Sequence, residues 1–194
     1  VLYATGRKPN TANIGLENTD ITTNERGAIV VNDTCESSVP GVYAVGDVNG
    51  GPQFTYISLD DFRIVFGALT GNGQYTLKDR KNIPYTTFLT PPLARVGLTE
   101  EDAINKGYTV KTKEMLVATM PRAHVNDYLK GAFKIVVNAE NNLILGATLY
   151  SQGAEELINL IKMAMDNNIP YTYFKNQIFT HPTMAENLND LCNF

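Results

Sequence analysis

Between Gln74 and Asn82 the sequence turns polar, with the charge run Lys78-Asp79-Arg80-Lys81, and Pro84 follows. A polar, charged stretch closed by a proline is the composition of a boundary between folding units. It divides the 194 residues into a first part, 1–78, and a second part, 82–194. A long solvated loop inside a single domain is the competing reading.

The two parts carry different patterns. In the first, Val1 to Ala4 reads as a strand delivering the chain to a Gly- and Pro-containing loop, Thr5-Gly6-Arg7-Lys8-Pro9-Asn10. Ala28 to Val31 and Val42 to Val45 read as further strands, and Val39-Pro40-Gly41 as the turn before the second of them. From Thr55 to Leu69 the apolar residues Ile57, Phe62, Val65, Phe66 and Leu69 recur at helical spacing, with Gly71-Asn72-Gly73 as the exit. In the second part, Thr86 to Leu89 reads as a strand. Thr99 caps a short helix with an acidic first turn that ends at Gly107. Strands follow at Tyr108–Val117, Gly131–Asn138 and Leu143–Tyr150. Gly153 to Asp166 has the broad apolar face of a helix lying on a core, a second short helix covers Tyr171–Asn176, and a last one starts near Thr183. The order of elements predicts an α+β domain with an antiparallel sheet flanked by helices.

Composition excludes several function classes. With 16 Lys+Arg against 20 Asp+Glu, the chain lacks the basic excess that a nucleic-acid grip requires. No apolar run approaches the roughly 20 residues that span a bilayer, so no membrane partner and a cytoplasmic location are expected. The two cysteines, Cys35 and Cys192, are too few for a disulfide framework or a zinc site and belong to no paired redox motif. Each reads as a buried or incidental thiol.

Two motifs remain that carry chemistry. Val42-Tyr43-Ala44-Val45-Gly46-Asp47 runs an apolar segment into Gly-Asp, with Pro52-Gln53-Phe54-Thr55 at the start of the following helix. Glycine admits a ligand close to the backbone, the Asp carboxylate accepts hydroxyl hydrogen bonds, and the helix terminus presents N–H groups to an electron-rich group. A plain turn explains Gly-Asp equally well. Thr180-His181-Pro182-Thr183-Met184-Ala185-Glu186 places a histidine before a helix with a glutamate one turn inside. A carboxylate on one ring nitrogen orients an imidazole and favours its cationic form, the usual arrangement of an acid/base group near neutral pH. Thr183-x-x-Glu186 is at the same time a capping box, and a lone histidine is more often structural. His124 reads as a loop residue, and Tyr171-x-Tyr173-Phe174 as interface or core packing.

Taken together, Ala4-Thr5-Gly6-Arg7-Lys8-Pro9-Asn10, the Gly46-Asp47 string, the Phe88–Glu100 segment and the His181–Glu186 ending resemble the pyridine nucleotide-dependent disulfide reductases. Glutathione reductase, lipoamide dehydrogenase and mercuric reductase are members. The resemblance spans nearly the whole chain. Pro92-Leu93 departs from the Pro-Glu of many members. The resemblance implies that residues 1–78 are the C-terminal segment of an FAD-binding α/β domain and 82–194 a dimerisation domain. It implies that Gly46, Asp47, Gln53, Phe54 and Thr55 contact FAD, with Asp47 on the ribitol. His181 and Glu186 would form the catalytic pair, serving the thiols of the partner subunit in a homodimer. Electrons would pass from NAD(P)H through FAD to a cysteine disulfide and on to a small-molecule oxidant or disulfide.

The Gly-x-Gly-x-x-Gly fingerprints and Cys-x4-Cys pair of that family do not occur in these residues, and the chain opens on Val1 without an initiator Met. It therefore reads as a C-terminal fragment, inactive alone and without retained FAD. The single cysteine at the C-terminus sets it apart from mercuric reductases with their vicinal pair. Met120-Pro121-Arg122, Asn167 to Phe174 and Ala185 to Leu191 are similar to a bacterial branch linked to resistance against reactive chlorine species. Two other readings stay open: a standalone dimerisation module, and a flavin NADH oxidase or peroxidase, which shares Gly-Asp but does not need His181.

Overall fold

A computed structural model describes all residues 1–194. The chain forms two compact units, Val1–Arg80 and Lys81–Phe194, each described here by itself.

The first unit is mostly irregular. Its one long element is α1 (Thr55–Thr70), closed by Gly71 in the left-handed conformation. Val1 to Asn10 forms no strand, and Ala28–Val31 and Val42–Val45 contribute only single bridges, Thr23 with Ile29 and Glu36 with Tyr43. A strand needs a continuous ladder of backbone partners. Here asparagine side chains take the amides instead: Asn24 Oδ1 accepts from Arg26 and Ala28, and Asn32 Oδ1 from Thr34 and Glu36. The face that α1 buries also differs from the apolar spacing. Ile57, Asp61 and Ile64 point inward, while Phe62, Phe66 and Leu69 are exposed.

The second unit is built on a five-stranded antiparallel sheet: β1 (Tyr85–Thr87), β2 (Leu93–Gly97), β3 (Val110–Leu116), β4 (Ala132–Asn138) and β5 (Ile144–Tyr150), in the order β1-β2-β5-β4-β3. Strand β2 is an addition to the expected set. It follows Pro91-Pro92 and ends on Gly97, residues unfavourable to a strand, and only pairing with β1 and β5 reveals it. Between the strands lie α2 (Glu100–Asn105) and α3 (Pro121–Val125). Thr99 caps α2 as its sequence suggests, its hydroxyl accepting from Asp102 N while the Asp102 carboxylate reaches back. His124 lies on α3 rather than in a loop, with Nε2 2.8 Å from the Ala118 carbonyl.

Helix α4 (Ala154–Asp166) packs on β2 and β5. Its Leu157, Ile158, Ile161 and Ala164 bury against Phe133, Ile135 and Val137 of β4 and Leu149 of β5 in one core. Helices α5 (Tyr171–Asn176) and α6 (Asn187–Leu191) close it with Tyr171, Phe174, Leu188, Leu191 and Cys192. The last helix starts at Asn187, not near Thr183, so Glu186 occupies the N-cap position rather than a place one turn inside.

Candidate functional site

In the first unit the Gly46-Asp47 segment is a tight turn. Gly46 has φ +71° and opens a short 3-10 helix, and a Cβ there would lie 2.6 Å from Ser58 Oγ. The left-handed backbone favours glycine, and any side chain would also have to displace the Ser58 hydroxyl. The next side chain, Asp47, is half exposed, with Arg7 Nη1 at 4.0 Å. Pro52, Gln53, Phe54 and Thr55 are exposed and lead into α1, whose N-cap residue Phe54 supplies no side-chain cap. The first N–H groups of a helix have no acceptor within it. An exposed carboxylate beside a glycine turn and a helix start without a side-chain cap suit a hydroxyl-bearing chain joined to an electron-rich ring. Gly46, Asp47, Gln53, Phe54 and Thr55 are thus chemically fit for a flavin nucleotide.

Sequence reasoning missed the residue that holds this turn. Asp61, fully buried, accepts from Gly46 N at 2.7 Å, Asn49 Nδ2 at 2.9 Å and Arg80 Nη2 at 2.5 Å. The periodicity that marks a helix face weighs apolar residues and passes over a carboxylate at the centre of the buried stripe.

In the second unit, His181 and Glu186 come together: Nδ1 lies 2.8 Å from Glu186 Oε2. The imidazole is 71% exposed and the glutamate side chain 16%, so the carboxylate forms the base of the site and the ring its outer surface. Nε2 points away from this bond and is the ring nitrogen open to an outside group. Glu186 also makes the Thr183 cap bonds. Its other oxygen accepts from Thr183 N at 3.4 Å, and Thr183 Oγ1 accepts from Glu186 N at 3.2 Å, closing the reciprocal cap on the turn ahead of α6. Asn189 fixes this turn from behind, its amide donating to the carbonyls of Phe174 at 2.6 Å and Gln177 at 2.9 Å. Lys113 on β3 donates to the Asp190 and Asn193 carbonyls at the far end of α6. Neither Asn189 nor Lys113 carried a sequence signal, because each acts on backbone carbonyls distant in the chain.

Both cysteines lie inside. Burial, and for Cys35 also the Asp61 carboxylate, push the thiols up to about 11 for Cys35 and about 12 for Cys192. A thiol is nucleophilic as thiolate, so both are inert at neutral pH. Neither is expected to react with a disulfide reagent at pH 8 in native protein, and both should react once urea unfolds it; fast native labelling would contradict their burial. The raised values also set a pH dependence. Stability from the buried neutral thiols is complete below the unfolded value near 9 and is lost as pH rises toward 11–12.

A five-stranded antiparallel sheet flanked by helices makes an α+β domain of the kind found in flavoprotein disulfide reductases. Residues 83–192 match the model of the pyridine nucleotide-disulphide oxidoreductase dimerisation domain, and residues 1–61 match that of the pyridine nucleotide-disulphide oxidoreductases. The chain belongs to this family. It is 48% identical, over 98% of its length and 43% of the relative's, to the probable pyridine nucleotide-disulfide oxidoreductase RclA of Escherichia coli. It is 37% identical to a mercuric reductase of Staphylococcus aureus, over 97% of this chain and 34% of that one. The solved structure of RclA, described as an HOCl-induced flavoprotein disulfide reductase, superposes with a TM-score of 0.94 over 97% of this chain and 43% of that one. LpdA of Mycobacterium tuberculosis, 22% identical, shares the fold with a TM-score of 0.85, over 95% of this chain and 40% of that one. The chain thus spans less than half the length of the relatives it matches. The HOCl-induced relative lies in the branch to which the C-terminal residues pointed. FAD and NAD(P)H are the family's cofactors. No helix is long and apolar enough to cross a membrane.

Proposed function

We propose that this chain is the C-terminal part of an FAD-dependent, NAD(P)H-using disulfide reductase. Residues 1–78 complete its FAD domain and 82–194 form its dimerisation domain. The observation that carries the reading is the 2.8 Å His181–Glu186 bond with the opposite ring nitrogen exposed, in a unit matched by a dimerisation-domain model. Bound FAD would supply the two-electron relay between NAD(P)H and a cysteine disulfide. Gly46 and Asp47 would hold its hydroxyl-bearing chain, and Gln53, Phe54 and Thr55 at the start of α1 would face the ring, where fixed dipoles stabilise developing negative charge. His181 would give and take a proton at Nε2 as a thiol of the partner subunit is released and re-formed, with Glu186 holding Nδ1–H and stabilising the imidazolium. The turnover substrate is a small-molecule oxidant or disulfide, and the protein works in the cytoplasm as a homodimer.

The full-length protein is expected to purify yellow, with about one flavin per subunit, and to be bleached anaerobically by NAD(P)H. Residues 1–194 alone are expected to hold no stoichiometric FAD and to oxidise no NAD(P)H. A yellow, turnover-competent preparation of these 194 residues, or a colourless full-length protein, would contradict the reading.

A further inference from the structure

Asp61 sits at the centre of the stripe that α1 buries, between Ile57 and Ile64, where an apolar side chain would fill the space without the desolvation penalty of a carboxylate. Its two oxygens serve different partners. Oδ2 accepts from Gly46 N at 2.7 Å and Asn49 Nδ2 at 2.9 Å, both in the turn that carries Asp47. Oδ1 accepts from Arg80 Nη2 at 2.5 Å. Arg80 is itself only 10% exposed and divides its guanidinium, with Nε donating to Asp60 Oδ2 at 2.7 Å. A planar fork matched to two carboxylates is a geometry that lysine cannot reproduce. Residues 75–80 therefore strap α1 rather than hang free: Tyr75 hydroxyl reaches Asp60, Leu77 N donates to the Asp33 carbonyl, and Lys78 pairs with Asp33.

The consequence falls on Asp47. With the Gly46 amide tied to Asp61 and Gly46 in the left-handed conformation, the following carboxylate is turned outward and left half exposed. We propose that Asp61, clamped by Arg80, is a positioning residue that sets the Gly46–Asp47 turn for binding a flavin nucleotide. This rests on the flavin reading given under the proposed function. Asp61 does not touch the ligand; it acts through the Gly46 amide and Asn49.

The test is made in the full-length flavoprotein with Asp61→Asn, which keeps the shape and removes the charge. Three readouts are taken: the FAD dissociation constant from titration of apoprotein, the visible circular dichroism of bound flavin, and the melting temperature of the apoprotein. Loss of charge-assisted bonds predicts a dissociation constant raised about tenfold or more, with an altered visible spectrum. Lys78→Ala, on the same strap but away from Asp61, should leave both flavin readouts as in wild type. A lower melting temperature with the dissociation constant within about twofold of wild type and an unchanged spectrum would assign Asp61 to stability alone and overturn the proposal. Should Asp61→Asn yield no folded protein, Arg80→Lys decides. A weakened, spectrally altered flavin supports the clamp, and wild-type binding and spectrum overturn it. A wild-type protein that takes up no flavin would instead overturn the function on which this rests.

Discussion

Replacing His181 with alanine in the complete protein is expected to slow disulfide turnover by about 10²–10⁴-fold, the range lost when a positioned acid/base group is removed. Flavin reduction by NAD(P)H should stay within about twofold of wild type, because hydride transfer asks nothing of a group that acts on thiols. Stopped-flow absorbance separates the two half-reactions. Equal loss in both would remove His181 from the thiol step. The 71% exposure of the imidazole makes a folding defect an unsuitable explanation of the loss, since exposed substitutions seldom cost more than about 0.5 kcal/mol. Glu186→Gln should cost less than His181→Ala. The amide oxygen can still accept from Nδ1–H, while the charge that stabilises the imidazolium is gone.

A large loss of stability is expected at Gly146. It stands directly opposite Gly97 where β2 pairs with β5, close to the irregularity between Val136 and Val137 of β4. A Cβ on Gly146 would lie 2.1 Å from the Leu98 carbonyl oxygen and 2.6 Å from its nitrogen. These are backbone atoms of the residue that follows β2, whose amide donates to the Leu145 carbonyl at 2.9 Å, so relief requires this end of the β2–β5 pairing to open. Gly146→Ala should therefore cost about 3 kcal/mol or more, beyond ordinary overpacking and a large share of a typical domain's 5–15 kcal/mol. Gly107→Ala makes the contrast. That glycine has φ +85° but nothing within 4 Å, so only the left-handed backbone is penalised, by about 1 kcal/mol. Urea unfolding of both variants checks the difference; equal effects would mean that Gly146 is not held by close backbone approach.

The second unit followed its sequence more closely than the first, for a physical reason. The α4 stripe and the Thr99 cap are local signals: the cap formed as read, and of the apolar residues Leu157, Ile158, Leu160, Ile161, Ala164 and Met165 all but the exposed Leu160 turn toward the core. Strand β2 depends on partners far along the chain, and its flanking prolines and Gly97 concealed it. In the first unit the apolar runs at Val1–Ala4, Ala28–Val31 and Val42–Val45 have strand composition but find no ladder among these residues. The run Lys78-Asp79-Arg80-Lys81 combined both outcomes. The compact units meet in this run, at Arg80 and Lys81, and Arg80 is anchored in the first unit by Asp60 and Asp61. Of the candidate site, His181 and Glu186 were readable because five positions separate them and a turn brings them together. Asp61 was not, because its partners Gly46, Asn49 and Arg80 lie between 12 and 19 positions away and its burial follows only from the fold.

Mixed dimers test the role of His181 most directly. One subunit carries His181→Ala and the other lacks its redox cysteines, so each parent homodimer turns over at a small fraction of the wild-type rate or not at all. If His181 serves the thiols of the other subunit, the mixed dimer regains one working site, with roughly half of wild-type turnover, as a symmetric dimer requires. Turnover no higher than that of either parent would place His181 outside a shared site and contradict the proposed function.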